Sequence, residues 1–196
     1  MGANGNRLTT VVIWFLLALC GALVAWMFLA IDPEFARLSR AGSLLDVRFS
    51  GYEPATVRGL HDLLTKSDMA EARDVLRFYY TVPDMILPLA ASLLGVLLML
   101  RFAPGNMIFG RPVSPGMVRA FCLLPIGYGV VDYLENFVAL AYFPPAQPGP
   151  WLTDAAPEIL PWLSAIKLAL LTVTFILVVR FSVLRYTAHT DRHGSD

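Results

Sequence analysis

The residues with the clearest capacity for chemistry are two acids and an amide inside a long apolar run. Asp132, Glu135 and Asn136 occupy positions i, i+3 and i+4, so they share one face of a helix. Tyr128 extends this face by one turn toward the N-terminus. Acidic side chains within a membrane are costly and normally face a bundle interior or a wet cavity. The opposite face of the same helix is apolar: Ile126, Val130, Leu134, Phe137 and Ala141.

A lysine in the last apolar run is the natural partner for these acids. Lys167 lies eight residues after Ile159, where that run begins, and Glu135 lies eight residues before Phe143, where the preceding run ends. At a rise of 1.5 Å per residue, both side chains lie about 12 Å below the same membrane surface. We therefore expect Lys167 to contact Glu135, or Asp132 one turn deeper.

Two further side chains complete the predicted site. Asp84 begins the second apolar run from the same side of the membrane, and Ser164 lies near the Lys167 face of the last run. Two carboxylates beside one ammonium would leave a net negative charge, which is costly in a low dielectric. We therefore expect one carboxyl group to hold a proton, or water to reach the site. The predicted polar site comprises Asp84, Tyr128, Asp132, Glu135, Asn136, Ser164 and Lys167.

Several roles are open to this site. A buried polar network can simply fix the register and pairing of helices. A cavity beside it could instead bind a lipid-like ligand or a membrane partner protein, which is the function that we expect. The alternative is a membrane-embedded enzyme or proton-linked carrier that uses the paired acids with the lysine. The sequence contains no H-E-x-x-H, G-x-S-x-G or phosphate-loop motif, which favours binding over catalysis.

Neither a metal nor another cofactor is predicted. His189 and His193 are four residues apart, a spacing found in metal sites, but they have no third ligand nearby and are more typical of a solvated tail. Cys20 and Cys122 lie singly in apolar runs, which favours packing over disulfide or redox chemistry.

The composition is that of a membrane protein. Of the 196 residues, 57% are hydrophobic and 15% are charged, whereas soluble domains are usually about a quarter charged. Fifteen basic and fifteen acidic residues balance, and no basic stripe of the kind that binds nucleic acid is present. The main partner of the surface is therefore expected to be the lipid bilayer, and assembly into an oligomer is left open.

Four apolar runs are long enough to cross a bilayer, which requires about 20 apolar residues. We interpret the first as an uncleaved helix, because signal sequences have only about 7–15 apolar residues. Asp32 and Pro33 are expected to end it, and Gly21 with Ala25 to form a close helix contact. The predicted spans are residues 8–31, 82–102, 117–143 and 159–179.

The cap, residues 32 to about 80, is the sizeable polar segment. Pro54 is expected to open one amphipathic helix, and Asp68 with Glu71 forms a capping-box-like start for a second. The segment 44–49 alternates weakly and is expected to be extended. We expect the two helices to lie over the membrane end of the bundle.

These features predict an all-α integral membrane protein with a single domain, residues 1–196. The fold is a four-transmembrane-helix bundle with a short extracytoplasmic helical cap between helices one and two. Arginines concentrate on the side of the termini, whereas the 144–158 loop has no Lys or Arg. By the positive-inside rule, both termini are expected in the cytoplasm of a bacterial inner membrane.

One combination of residues is distributed over most of the chain, within about residues 44 to 180. It comprises Gly51-Tyr52-Glu53-Pro54, Leu60-x-x-Leu63-Leu64, Asp84, Asp132-Tyr133-Leu134-Glu135-Asn136 and Lys167. This combination resembles an uncharacterised group of small four-span bacterial membrane proteins with an Asp-x-x-Glu-Asn signature in the third transmembrane helix. The resemblance implies the four-span fold and no particular activity. The chain differs from small multidrug transporters, whose essential acid lies in the first span, and lacks the redox cysteines of vitamin K epoxide reductase-like enzymes.

Overall fold

Helices dominate the structure, a computed structural model that describes residues 3–48, 50–108 and 110–193. Side chains are described for residues 7–48, 50–108 and 110–186, so those of His189 and His193 lie outside this part. A short antiparallel ladder, β1 Met107–Ile108 with β2 Arg111–Pro112, lies in the loop between the second and third apolar runs. The helices of the described part are α1 Ala3–Trp26, α2 Asp32–Ser39, α3 Pro54–Leu64, α4 Ala70–Thr81, α5 Pro83–Phe102, α6 Pro115–Tyr142 and α7 Pro150–His193.

Within the described residues, four helical runs are long and apolar enough to cross a membrane, which confirms the all-helical class and the number of candidate spans. Their outward surfaces carry large apolar side chains such as Leu8, Leu123 and Phe175. On α6, the face predicted to be apolar is also the exposed one. The four runs are Arg7–Ser39, Ser67–Phe102, Pro115–Tyr142 and Pro150–Tyr186.

The first helical run does not end at Asp32 and Pro33, so that prediction was wrong. A π-helical turn, Met27–Ile31, follows α1, and the Asp32 N–H donates to the Met27 carbonyl. Pro33 then occupies the first turn of α2, directly after the π-helical turn. The run therefore continues to Ser39, where Arg40 adopts a left-handed conformation with a φ of 56°.

The predicted close contact of Gly21 and Ala25 is also wrong within this chain. Both residues are exposed, and no atom lies within 4 Å of a Cβ placed on Gly21. Larger side chains on another face of α1 provide the packing instead, because they remove more apolar area from solvent. The buried residues are Ile13, Leu16 and Leu23 on the described part of α1, and Met27 and Ile31 in the π-helical turn.

The last helix is longer than its apolar run. It begins at Pro150 rather than near residue 159, passes Pro157 and Pro161, and continues beyond residue 179 to His193. An apolar run marks the length of a lipid-facing segment, whereas backbone hydrogen bonding continues the helix through polar residues at both ends. The connection to α6 therefore shortens to residues 143–149.

The cap contains the two expected helices, α3 and α4. The predicted capping-box start of α4 and the predicted extended segment before α3 are absent from the described residues. No side-chain capping bond begins α4, whose N-cap position is Met69. The 44–49 segment is not extended where it is described, because Leu45–Val47 forms a 3₁₀ turn. Leu44 and Leu45 are both buried, which an alternating strand would not allow.

The bundle is held by α6, which packs on α5 on one side and α7 on the other, while α1 packs on α5. One core cluster lies under the cap and includes Phe35, Leu64 and Tyr80. A second lies toward the other end of the helices and includes Met99 and Phe181. Along α6 and α7, the predicted polar residues fall between these two apolar clusters.

Candidate functional site

The centre of the polar site is the ammonium group of Lys167 on α7. Its Nζ lies 2.8 Å from Asp132 Oδ1, 2.7 Å from Glu135 Oε2 and 2.6 Å from Asp46 Oδ1. Both contacts expected from the depth of the side chains, those with Asp132 and Glu135, are present. Lys167 and the three acids Asp46, Asp132 and Glu135 are called the Lys167 cluster below. All are shielded from solvent, with 14% of the lysine side chain exposed and at most 5% of each acid side chain.

Two antiparallel helices and one cap turn position this cluster. Asp132 and Glu135 lie on the face of α6 that points away from the exposed apolar residues, and α7 brings Lys167 opposite them. Asp46 reaches the cluster from the 3₁₀ turn of the cap. Sequence reasoning missed Asp46, although its neighbours Leu45 and Val47 gave a signal that this turn of the polar cap is buried.

A tyrosine from the cap provides a hydrogen bond to the cluster. The Tyr52 hydroxyl donates to Glu135 Oε1 at 3.1 Å and also lies beside Ser164. Burial raises the pKa of Tyr52, and the negative charges of Glu135 and Asp46 raise it further. The hydroxyl therefore keeps its proton over the physiological range and acts as a donor. Tyr52 was not among the predicted site residues.

Other predicted residues surround the cluster without joining its ion pairs. The Tyr128 hydroxyl lies within hydrogen-bonding reach of Asp132. Asn136 turns toward α5, where its Nδ2 donates to the backbone carbonyl of Asp84 at 2.7 Å. The Asp84 side chain is only 3% exposed, and its Oδ2 has no hydrogen-bond partner among the described residues. Ser164 lies within hydrogen-bonding reach of Tyr52.

Acidic groups outnumber cationic groups at this site. Three carboxyl groups meet one ammonium, and the neighbouring Asp84 adds a fourth acid. Glu135 Oε2 lies within ion-pair distance of Lys167, but the two groups are not oriented for a hydrogen bond. Asp46 Oδ2 has no hydrogen-bond partner in the described part. An uncompensated negative charge is costly in a buried site. The arrangement therefore needs a proton on at least one carboxyl group or a further cation.

A cavity of about 1080 Å³ adjoins the cluster and lies between α1 and α7. Ligand pockets typically measure about 300–1,000 Å³, so this volume is large enough for a small molecule. We call it the lateral cavity. One end is lined by Asp46, Asp84, Asp132 and Lys167. The remaining walls are mainly apolar and include Val24, Met27, Phe28, Leu87, Leu168, Leu171 and Val173.

The site shows no arrangement of ligands for a metal ion among the described side chains. The carboxyl groups of the cluster converge on a point that the Lys167 ammonium itself occupies. Comparison with known proteins gives no match: no family model, no curated protein and no solved structure resembles this chain.

Proposed function

We propose that this chain is a four-span integral membrane protein that binds an amphipathic, lipid-like molecule in the lateral cavity. The observation that carries the proposal is the shape of that cavity, with apolar walls along two membrane-length helices and a buried polar end. A cavity with apolar walls and a polar end matches a molecule with a hydrocarbon chain and a polar head group. The polar end holds the head group, and the apolar walls hold the chain.

Helix packing supports entry from the lipid phase. In the described part of the chain, α1 packs mainly on α5, whereas α7 packs mainly on α6, and the cavity separates α1 from α7. The side between α1 and α7 therefore faces the bilayer when the helices are inserted. Burial of a hydrocarbon chain is favourable by about 0.8 kcal/mol for each CH₂ group, so a ligand that left lipid for water would lose that amount for each group exposed. Lateral entry avoids that step.

The head group meets several polar side chains at the polar end of the cavity. Tyr52, Tyr79 and Tyr128 line this end together with the acids and Lys167. Few but well-placed polar groups in an otherwise apolar pocket are the usual source of orientation and specificity for a small ligand. In this proposal the Lys167 cluster stabilises the helix pairing and also forms the floor of the binding site.

A second candidate function is favoured by the excess of acids. A membrane-embedded enzyme or proton-linked carrier could use Asp132 or Glu135 as the group that gains and loses a proton, because Lys167 cannot neutralise every acid that contacts it. Under this alternative, Glu135→Gln abolishes turnover or transport while ligand retention stays normal. Under the binding proposal, the same variant changes ligand retention first.

We further propose that the termini are cytoplasmic in a bacterial inner membrane and that the cap is extracytoplasmic. The start of α1 and the ends of α5 and α7 lie together, since Arg101 donates to Thr10 at 2.8 Å and Arg185 donates to the Arg101 carbonyl. The shortened connection at residues 143–149 contains no Lys or Arg. Basic residues favour the cytoplasmic side. A reporter inserted at Gly149 is expected to be extracytoplasmic, and a cytoplasmic signal would invert this topology.

The binding proposal is tested by filling the cavity. Ala169 lies exposed on the cavity side of α7, and Ala141 lies exposed on the outer face of α6. Ala169→Trp is expected to remove the lipid-like molecule that co-purifies with the wild-type protein in mild detergent. Ala141→Trp adds the same bulk outside the cavity and is expected to leave retention unchanged. Mass spectrometry of the extracted small molecules provides the measurement.

Two results would contradict the proposal. Equal retention by wild type, Ala169→Trp and Ala141→Trp would show that bound lipid lies elsewhere on the protein. Failure of the purified wild type to retain or rebind any amphipathic molecule would leave the cavity without the proposed occupant.

A further inference from the structure

We infer that the occupant of the lateral cavity carries a positively charged amine head group, because its polar end combines unpaired buried acid with aromatic rings. This inference rests on the proposed function and adds the chemical class of the ligand. Its chemistry is that of an organic ammonium attached to a hydrocarbon chain.

The charges that line the cavity favour a cation. Four acids line it, Asp46, Glu53, Asp84 and Asp132, against two cationic side chains, Arg48 and Lys167. The formal balance is therefore negative by two charges. A head group with a positive charge lowers this excess, whereas an anionic head group increases it.

Both cationic side chains already bind groups of the chain itself. Lys167 contacts three carboxyl groups of its cluster. The Arg48 guanidinium donates to the Ser43 carbonyl at 2.9 and 3.1 Å and to the Ala41 carbonyl at 3.2 Å. These bonds hold the guanidinium against the backbone of the cap turn. An anionic head group near Lys167 would compete with three carboxyl groups for one ammonium and would lie beside acids that repel it.

Asp84 is the side chain that most directly favours a cation in the cavity. It lines the cavity, is 3% exposed, and forms none of the ion pairs among the described residues. Its Oδ2 accepts no hydrogen bond there. Buried carboxyl oxygens are normally hydrogen-bonded, and an unpaired one carries a desolvation penalty. An ammonium group in the polar end would give this oxygen a charged donor.

Aromatic rings stand beside the same acids. Tyr52, Tyr79 and Tyr128 all line the polar end of the cavity. The face of an aromatic ring attracts a cation, and aromatic side chains are a recurrent means of binding substituted ammonium groups. Carboxyl groups together with tyrosine rings therefore select an organic ammonium more strongly than a hydroxyl or an anion.

A head-group series with one chain length tests the inference. The probes are dodecylammonium, dodecanol and dodecanoate, added below their micellar concentrations to delipidated protein in a nonionic detergent. Native mass spectrometry gives the apparent Kd of each. The ammonium probe is expected to bind at least about tenfold more tightly than dodecanol, with dodecanoate weakest, since a desolvated charge pair is worth more than one neutral hydrogen bond.

A pair of isosteric variants locates the preference. Asp84→Asn removes the charge inside the cavity, and Asp74→Asn makes the same change at an exposed position of α4. The preference for ammonium over dodecanol is expected to fall by at least about tenfold in Asp84→Asn and to stay unchanged in Asp74→Asn. Both variants are compared by size-exclusion profile before titration. If Asp84→Asn does not fold, the wild-type head-group series alone decides.

The outcomes separate this inference from the proposed function. Equal binding of the three probes, or tighter binding of dodecanoate, would overturn the amine head group and leave a lipid-binding cavity in place. Binding of none of the probes, with no retained lipid in the wild type, would overturn the proposed function itself. An ammonium preference that Asp84→Asn leaves intact would overturn the role of Asp84.

Discussion

The side-chain amide of Asn136 on α6 replaces a hydrogen bond that α5 cannot form at Asp84. In an α-helix the Asp84 carbonyl would accept from the N–H of residue 88, but that residue is Pro88, which has none. Asn136 Nδ2 donates to this carbonyl at 2.7 Å, and Asn136 is fully buried. The acid-bearing face of α6 is therefore tied to the backbone of α5 as well as to Lys167.

This relationship predicts that Asn136 matters only because of Pro88. Asn136→Leu leaves a buried carbonyl without a donor and is expected to lower the free energy of unfolding by about 1–3 kcal/mol. In a Pro88→Ala background the restored N–H of residue 88 can bond the Asp84 carbonyl within α5. The cost of Asn136→Leu is then expected to fall below about half of its original value. Apparent Tm values of the four proteins in detergent complete the double-mutant cycle.

An additive cycle would contradict this account. If Asn136→Leu costs the same with and without Pro88, the amide stabilises the protein through packing or through another partner. The inference that Asn136 stabilises the protein by bonding the Asp84 carbonyl would then be wrong.

We expect replacement of Lys167 to lower the free energy of unfolding more than replacement of any acid that it contacts. Lys167→Met leaves three buried carboxyl groups without their shared cation, and we expect a loss of about 3–5 kcal/mol in the free energy of unfolding. Glu135→Gln leaves Asp46 and Asp132 paired and still accepts from Tyr52, so we expect a loss of less than about 1.5 kcal/mol. The measurement is the apparent Tm in detergent at pH 7.

The matched control for this pair is the chain's other lysine. Lys66 is exposed in the cap, and Lys66→Met is expected to change the apparent Tm little. A Glu135→Gln variant as unstable as Lys167→Met would mean that a single ion pair, rather than a shared cation, holds α6 and α7 together.

The site on α6 and α7 could be predicted because local rules determine it. The acids and Asn136 share a helical face by periodicity, and Lys167 meets them because two antiparallel helices joined by a short connection keep equal depths together. An error of nine residues in the start of α7 did not matter to this contact. The register between α6 and α7 depends on where their apolar segments overlap, and not on the residue at which α7 begins.

Asp46 could not be predicted in the same way. It lies 121 residues before Lys167 in the sequence, and no helical period connects the two side chains that meet at 2.6 Å. Its position depends on the fold of the cap, where Asp32 Oδ1 accepts from the Leu44 N–H at 2.7 Å and turns the chain back. The π-helical turn before Asp32 has the same origin, since tertiary packing selects it over a simple helix end.

Close contact between α5 and α6 predicts a specific intolerance at Gly95. A Cβ at this position would lie 2.7 Å from Pro125 Cβ and 3.4 Å from Thr174 Cγ2. The proline ring is rigid, so the helices must separate, and Gly95→Ala is expected to cost about 1–3 kcal/mol of unfolding free energy. Gly21→Ala is the control, since a Cβ there has no neighbour within 4 Å. It is expected to be neutral or to stabilise by up to about 1 kcal/mol.

The comparison of these two apparent Tm values checks the packing of the bundle directly. A Gly95→Ala protein as stable as the Gly21→Ala protein would show that α5 and α6 lie farther apart than the structure has them.

Tyr52 predicts how stability depends on alkaline pH. Its pKa is raised in the folded protein, first by burial and then by Glu135 and Asp46, whereas an unfolded tyrosine ionises near pH 10. Its contribution is therefore fully present below about pH 10 and is lost as the pH rises toward the higher folded-state value. Tyr52→Phe removes this dependence, and it also removes the hydrogen bond to Glu135 at neutral pH.

The expected result is a pair of stability curves that converge. At pH 8, Tyr52→Phe is less stable than wild type by about 1–3 kcal/mol, because a buried carboxyl oxygen loses its donor. Between about pH 10 and 11 wild type loses stability more steeply, so the difference shrinks. Tyr186→Phe, at a position that is 76% exposed, serves as the control. Apparent Tm measured from pH 8 to 11 tests this, and parallel curves would mean that Tyr52 ionises equally in both states.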